Sequence, residues 1–124
     1  MFAEHLLLYN FKHIFMMTIE LKKFGTVLVS RPAGLEAFNA IRPQLNSDTL
    51  VQINFDQVLT VTPSWLDEFL THLTEFNGGK IELLPTKNAS VLAVLPILAT
   101  ARKDFVSDVV TRALKRMSNL DNQK

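Results

Sequence analysis

The chain has 124 residues, 48% of them hydrophobic, and a net charge of +1. That is enough for one domain burying roughly two-thirds of its unfolded surface, and too balanced to carry an overall field that recruits nucleic acid or acidic lipid. With no cysteine there is no disulfide, thiolate metal site or cysteine nucleophile, a composition that fits a cytoplasmic protein. The charges are nevertheless segregated. Gln44–Gly79 holds five acidic residues and no Lys or Arg, and the stretch after Ala101 holds six basic residues against three acidic.

Residues 1–16 are apolar but interrupted by charge, too short for a membrane span and without the basic start and small-residue cleavage site of a signal peptide. They read as an N-terminal extension, with the domain proper over 17–118 and a polar, frayed tail over 119–124. A further reading of 1–16 is an amphipathic arm for dimerisation. Thr18–Leu21 and Thr26–Val29 have strand composition around a turn at Lys23-Phe24-Gly25, which predicts a hairpin. Ser30-Arg31-Pro32-Ala33 opens a helix with Leu35, Phe38, Ile41 and Leu45 inward, limited by Pro43.

Alternation then marks a central strand. Val51, Ile53 and Phe55 point one way, Gln52 and Asn54 the other. The period changes at Thr62-Pro63-Ser64, and Trp65, Leu66, Phe69, Leu70, Leu73 and Phe76 form an apolar helical stripe. Thr62 caps that helix with Pro63 at its first position, or Ser64 caps it with Asp67 three residues on. Asn77-Gly78-Gly79 ends it. Lys80–Leu84 is a strand, and Asn88-Ala89-Ser90 starts an apolar helix that Pro96 is expected to kink or split. A last helix over Lys103–Met117 buries Phe105, Val106, Val109, Val110, Ala113, Leu114 and Met117, with Arg112, Lys115 and Arg116 placed to complement its dipole. The order of elements predicts an α/β domain, a small mixed sheet with helices packed on it.

The central stretch resembles a STAS-like domain family of unknown function. Thr62-Pro63-Ser64-Trp65 and Asp67-Glu68-Phe69 match its pattern, with Val58 before them and Ser30-Arg31-Pro32-Ala33 matching its Arg-Pro turn. Asn54 and Gln57 depart from it, where the family tends to have Asp and Gly. The similarity spans roughly Gly25 to Leu84. It implies a STAS-like fold and kinship with anti-sigma-factor antagonists, in which a serine at the start of the corresponding helix is phosphorylated by a partner ATPase of the histidine-kinase type. By position that serine is Ser64. The implied role is a non-catalytic regulatory module that binds a protein partner through Thr62, Ser64, Asp67, Glu68 and Thr71, presented on an exposed, convex helix tip.

Other chemistries find less in the residues. His72 lies eight positions after Ser64 on one helix, ~12 Å along its axis, too far for direct proton transfer. His5 and His13 have no tie to Ser64, and no nucleophile-elbow sequence is present. The three histidines lack metal-site spacing, and Asp67 and Glu68, being consecutive, diverge by about 100° and do not make a carboxylate pair. No glycine-rich phosphate loop exists, so no cofactor is expected. Arg102, Lys103, Arg112, Lys115 and Arg116 make a weak case for nucleic acid, with little aromatic surface for stacking. The alternative to a binding module is an enzyme using a cleft at the end of the central strand, which requires Asn54, Asp56 and Thr62 to converge in a deep pocket.

Overall fold

The alternation of Leu50–Asn54 becomes the centre of the sheet. In the computed structural model, which describes residues 16–101 and 103–122, this strand (β3) lies between β1 (Met16–Glu20) and β5 (Ile81–Leu83). Both neighbours run parallel to it, with Met17, Val51 and Ile81 in one row and Ile19, Ile53 and Leu83 in another. Those two rows face the helices, and Ile19, Val51, Ile53, Ile81 and Leu83 are buried. The row between them, Thr18, Gln52 and Glu82, is exposed or half-buried, and Thr18 Oγ1 donates to Gln52 Oε1 at 3.2 Å. The extension read from residues 1–15, with His5 and His13, lies outside the described residues, as does Arg102.

The sheet is parallel, not mixed, and the expected hairpin is absent. Leu21–Phe24 coils into a short 3-10 helix after β1, so the chain does not turn back. It enters β2 (Val27–Leu28), which pairs in parallel with β4 (Thr60–Val61) in a separate two-stranded sheet. Leu21 is fully buried and Phe24 packs its ring 5.8 Å from that of Phe69. Packing of these two side chains against the core fixes the bend where turn composition alone suggested a hairpin.

Among the described residues four helices supply the cover: α1 (Arg31–Ile41), α2 (Pro63–Asn77), α3 (Ala89–Ala101) and α4 (Phe105–Asn122). Helix α2 is the central one, packed against α1, α3 and α4. Its stripe of Trp65, Leu66, Phe69, Leu70 and Leu73 is at most 1% exposed, each such side chain contributing about 1.5–3 kcal/mol of transfer free energy. The close fit of α1 on α2 depends on Gly34, where a Cβ would stand 2.5 Å from the Trp65 carbonyl oxygen.

Three further expectations change. Pro96 neither breaks nor splits α3. It sits on the exposed side with Leu92 and Ile97, where the carbonyl deprived of its donor is open to hydration. Helix α4 starts later and ends later than its apolar stripe suggests. Asp104 caps it, its Oδ1 accepting from the N–H of Val106 at 3.0 Å and of Ser107 at 3.3 Å, and Ser107 Oγ accepts from the N–H of Asp104 in return. The helix then continues to Asn122, through the segment read as a frayed tail. Phe105 is half exposed instead of buried and lies over Gly79, where a Cβ would meet its ring at 3.0 Å.

Arg112 and Arg116 also have a structural task that dipole complementation does not describe. Arg112 Nη2 donates to the Ile81 carbonyl at 3.2 Å and Arg116 Nη1 to the Leu83 carbonyl at 3.5 Å. Together they cap carbonyls along the outer edge of β5, an edge that would otherwise invite another strand.

Asn77 ties α2 to the sheet. Its Nδ2 donates to the carbonyls of Thr49 and Lys80, and its Oδ1 accepts from the N–H of Lys80, while the residue itself is 2% exposed. Asn77→Ala removes the amide's bonds to the Thr49 carbonyl and to the Lys80 N–H, while the Lys80 carbonyl keeps its bond from the Val51 N–H. We expect a loss of about 1–3 kcal/mol in urea unfolding. A loss below about 0.5 kcal/mol would show that water replaces the amide at no cost.

Candidate functional site

The start of α2 is set by its cap. Thr62 is extended, with φ −97° and ψ 155°, and its Oγ1 accepts from the N–H of Trp65 at 3.3 Å, with Pro63 at the first helical position. Of the two caps open from the sequence, Thr62 is the one used. Ser64 follows as the second helical residue, its Oγ 3.4 Å from that of Thr62. The Ser64 side chain is half-buried and does not stand on a convex tip. It lines an open groove of about 420 Å3 with Arg31, Pro63 and Asp67 on one side and Ile97, Leu98 and Ala101 of α3 on the other.

Arg31 is the residue that reorganises the site. It begins α1 after Ser30, the cap of that helix, whose Oγ accepts from the N–H of Ala33 at 3.3 Å. Ser30 holds φ +78° and ψ 146°, a region that costs a residue with a Cβ about 1–3 kcal/mol. From this strained start Arg31 Nη1 donates to Asp67 Oδ2 and to Glu68 Oε2, both at 2.9 Å. The two carboxylates expected to diverge therefore converge on one guanidinium. Their Cα–Cβ bonds do diverge, but both side chains are long enough to reach a cation placed between them.

Glu68 completes a short chain of polar contacts. Its Oε1 lies 2.9 Å from His72 Nε2, an arrangement that requires the proton on Nε2. The imidazole stacks on Phe38 of α1 with ring centroids 5.4 Å apart. The hydrogen bond from Arg31, and secondarily that from His72, hold the Glu68 carboxyl below the usual carboxylate range. Glu68 and Asp67 in turn push the Arg31 guanidinium up. His72 thus faces Glu68 and Phe38, while the Ser64 hydroxyl faces Thr62.

Thr62, Ser64 and Asp67 are brought together at the head of α2. Glu68 and Thr71 lie beyond the groove. Glu68 is turned toward Arg31 and His72, and Thr71 is half-buried, its carbonyl accepting from Thr74 Oγ1 at 3.1 Å. Ile97, Leu98 and Ala101 were not legible as site residues, because nothing in the apolar run of α3 says where it docks. Arg31 left a trace: an acidic segment without a cation of its own needs one from elsewhere in the fold.

Asn54, Asp56 and Thr62 do not converge. The Asn54 Oδ1 accepts from the N–H of Asp56 at 2.9 Å, forming a local turn. Asp56 lines a separate cavity that neither Asn54 nor Thr62 reaches, and Thr62 is engaged in its cap. Among the described residues no three His, Asp or Glu side chains approach closely enough to hold a metal ion, and no helix is long and apolar enough to cross a membrane. Comparison with known proteins returns no matching family model, no matching curated protein and no matching solved structure.

The Arg31 cluster generates a pH signature. Because the folded-state pKa of Glu68 is depressed, its contribution to stability is fully present above the unfolded value of about 4.3 and is lost as pH falls through the folded value. Arg31→Met removes the main cause of that depression. The variant's stability relative to the parent should be lowest near neutral pH and should converge on it as pH drops below about 4. Parallel stability–pH curves would show that the ion pairs are not maintained in solution.

Proposed function

We propose that the chain is a STAS-like regulatory module, related in mode of action to anti-sigma-factor antagonists, that binds a protein partner in the cytoplasm and performs no catalysis. The observation that carries this reading is the groove at the head of α2, where the Ser64 hydroxyl, the Arg31 guanidinium and the apolar side chains of Ile97 and Leu98 share one open surface. Ile97 is 51% exposed, so the groove offers a partner an apolar contact beside a hydroxyl and a charge cluster. Such a mixture suits a small, reversible interface. The partner class is a histidine-kinase-type ATPase or a similar regulator, as the Thr62-Pro63-Ser64-Trp65 and Asp67-Glu68-Phe69 motifs imply. Thr62, Ser64 and Asp67 provide the polar part of the contact, with Glu68 and Thr71 continuing it along α2.

Ser64 is the proposed phosphoacceptor. A phosphoryl group there adds a charge of about −1.5 to −2 at the positive end of a helix. From sequence alone Asp67 and Glu68 would repel it. With Arg31 bonded to both carboxylates, that repulsion is reduced, and the guanidinium lies in the same groove as the new anion. Competition for Arg31 would then loosen its hold on Asp67 and change the surface that the partner meets. The groove is in this way both the contact and the means of switching it.

The direct test is intact-mass measurement with site mapping on protein purified from its native host, beside a Ser64→Ala control. A phosphate on Ser64 that disappears in the control is the expected result. If Ser64 remains unmodified across growth conditions, it is a structural hydroxyl next to a cap, and the switch is wrong. Co-purification of a partner that Ile97→Asp abolishes would still identify a constitutive binding module. Retention of that partner by Ile97→Asp would remove the groove from the interface.

A further inference from the structure

A second concave surface lies at the carboxyl ends of the parallel strands, where ligands of open α/β sheets characteristically bind. The segment after β3 contributes Asp56, the segment after β5 contributes Pro85, Thr86 and Lys87, and the helices close it with Leu92 of α3 and Met117, Leu120 and Asp121 of α4. Its volume is about 840 Å3, within the span of roughly 300–1,000 Å3 typical of small-molecule sites. None of its residues lines the Ser64 groove.

We propose that this cavity binds a small amphiphilic monocation, a molecule with one ammonium group and an apolar body. Two features of the lining select that class. Leu92 and Leu120 leave 38% and 45% of their surface exposed, and both belong to this concavity beside Met117 and Pro85. An apolar body of matching shape removes that surface from water. Among the described residues the charged groups lining it are Asp56 and Asp121 against Lys87, a surplus of one carboxylate. No ion pair joins these three to one another or to another described residue. An ammonium group completes the balance, whereas an anion drawn to Lys87 would face two carboxylates and a dication would meet Lys87.

Hydrogen bonds brace the two loop segments of the wall and the start of α3. The Asp56 N–H is held by Asn54, the Val58 N–H donates to the Phe55 carbonyl, and Asn88 Nδ2 donates to the Val58 carbonyl at 2.6 Å. On the facing segment the Asn88 N–H donates to Thr86 Oγ1, and Asn88 Oδ1 accepts from the N–H of Val91, seating the start of α3. One asparagine therefore joins the Asp56 segment to the Thr86–Lys87 segment and to α3. This bracing lowers the ordering cost of binding.

The test uses the full chain and three probes of equal length: hexylammonium, hexan-1-ol and hexane-1-sulfonate. Amide and methyl resonances are followed by NMR during titration. Hexylammonium should give saturable shifts at Thr86, Lys87, Leu92, Met117 and Leu120, and bind about fivefold or more tightly than the sulfonate. The double substitution Asp56→Asn with Asp121→Asn should weaken hexylammonium by about three- to tenfold and leave hexan-1-ol unchanged. Both aspartates are exposed, so the variant should retain the parent's spectrum away from the cavity, and the comparison of probes on the parent does not depend on it. The proposal is overturned if the sulfonate binds as tightly as the ammonium or if the double variant retains full affinity. It is equally overturned if no probe saturates, or if the shifts cluster at the exposed Val27, Val29 and Leu59 instead.

Discussion

The backbone contact between α1 and α2 at Gly34 governs the rest of the candidate site. A Cβ there would lie 2.5 Å from the Trp65 carbonyl oxygen and 3.2 Å from Cβ of Glu68, so any larger residue must push the helices apart. Close approach brings Arg31 onto Asp67 and Glu68 and Phe38 onto His72. The Arg31 bonds do not tolerate a displacement of an ångström or more, because hydrogen bonds weaken steeply with geometry. The strained Ser30 belongs to the same arrangement. Its unusual backbone aims the first turn of α1 so that Arg31 reaches across to α2.

A second constraint comes from the sheet. Parallel strands are usually covered on both faces, yet here the row Thr18, Gln52 and Glu82 remains at least partly exposed among the described residues. The helices instead protect the edge of β5, through Arg112 and Arg116. The smaller β2–β4 pair is finished in a comparable way. Ser90 Oγ accepts from the N–H of Val61 at 2.9 Å and donates to its carbonyl at 3.1 Å, so one side chain supplies both bonds that a neighbouring strand would have made. Polar side chains at helix starts and on helix faces thus replace missing strands, which lets so short a sheet satisfy its backbone.

The two concave surfaces follow from this economy. Helix α3 docks with its start on β4 and its end beside the head of α2, so its residues wall both the Ser64 groove and the cavity at the strand ends. The groove combines a hydroxyl with a charge cluster and suits a protein contact. The cavity combines exposed apolar surface with a surplus of carboxylate among the described residues and suits a small cation. The two proposals use different residues and stand or fall separately.

Local chemistry was legible from the sequence. Alternation in Val51–Phe55, the stripe from Trp65 to Leu73, the Thr62-Pro63 start, the Gly78 stop and the limit at Pro43 all report interactions within a few residues, and each is found in the fold. Pairing direction was not legible. Alternation says that one face of a strand is wet, and a one-sided parallel sheet alternates as an antiparallel one does, so a hairpin and a mixed sheet were natural expectations. The same limit applies to side chains whose partners lie far along the chain. Arg31 meets Asp67 and Glu68 across more than thirty positions, and Asn88 meets Val58 across thirty. Ser64 could be placed at the head of a helix from its neighbours. That it shares a groove with Arg31 and Ile97 depends on how three helices pack, which no local pattern encodes.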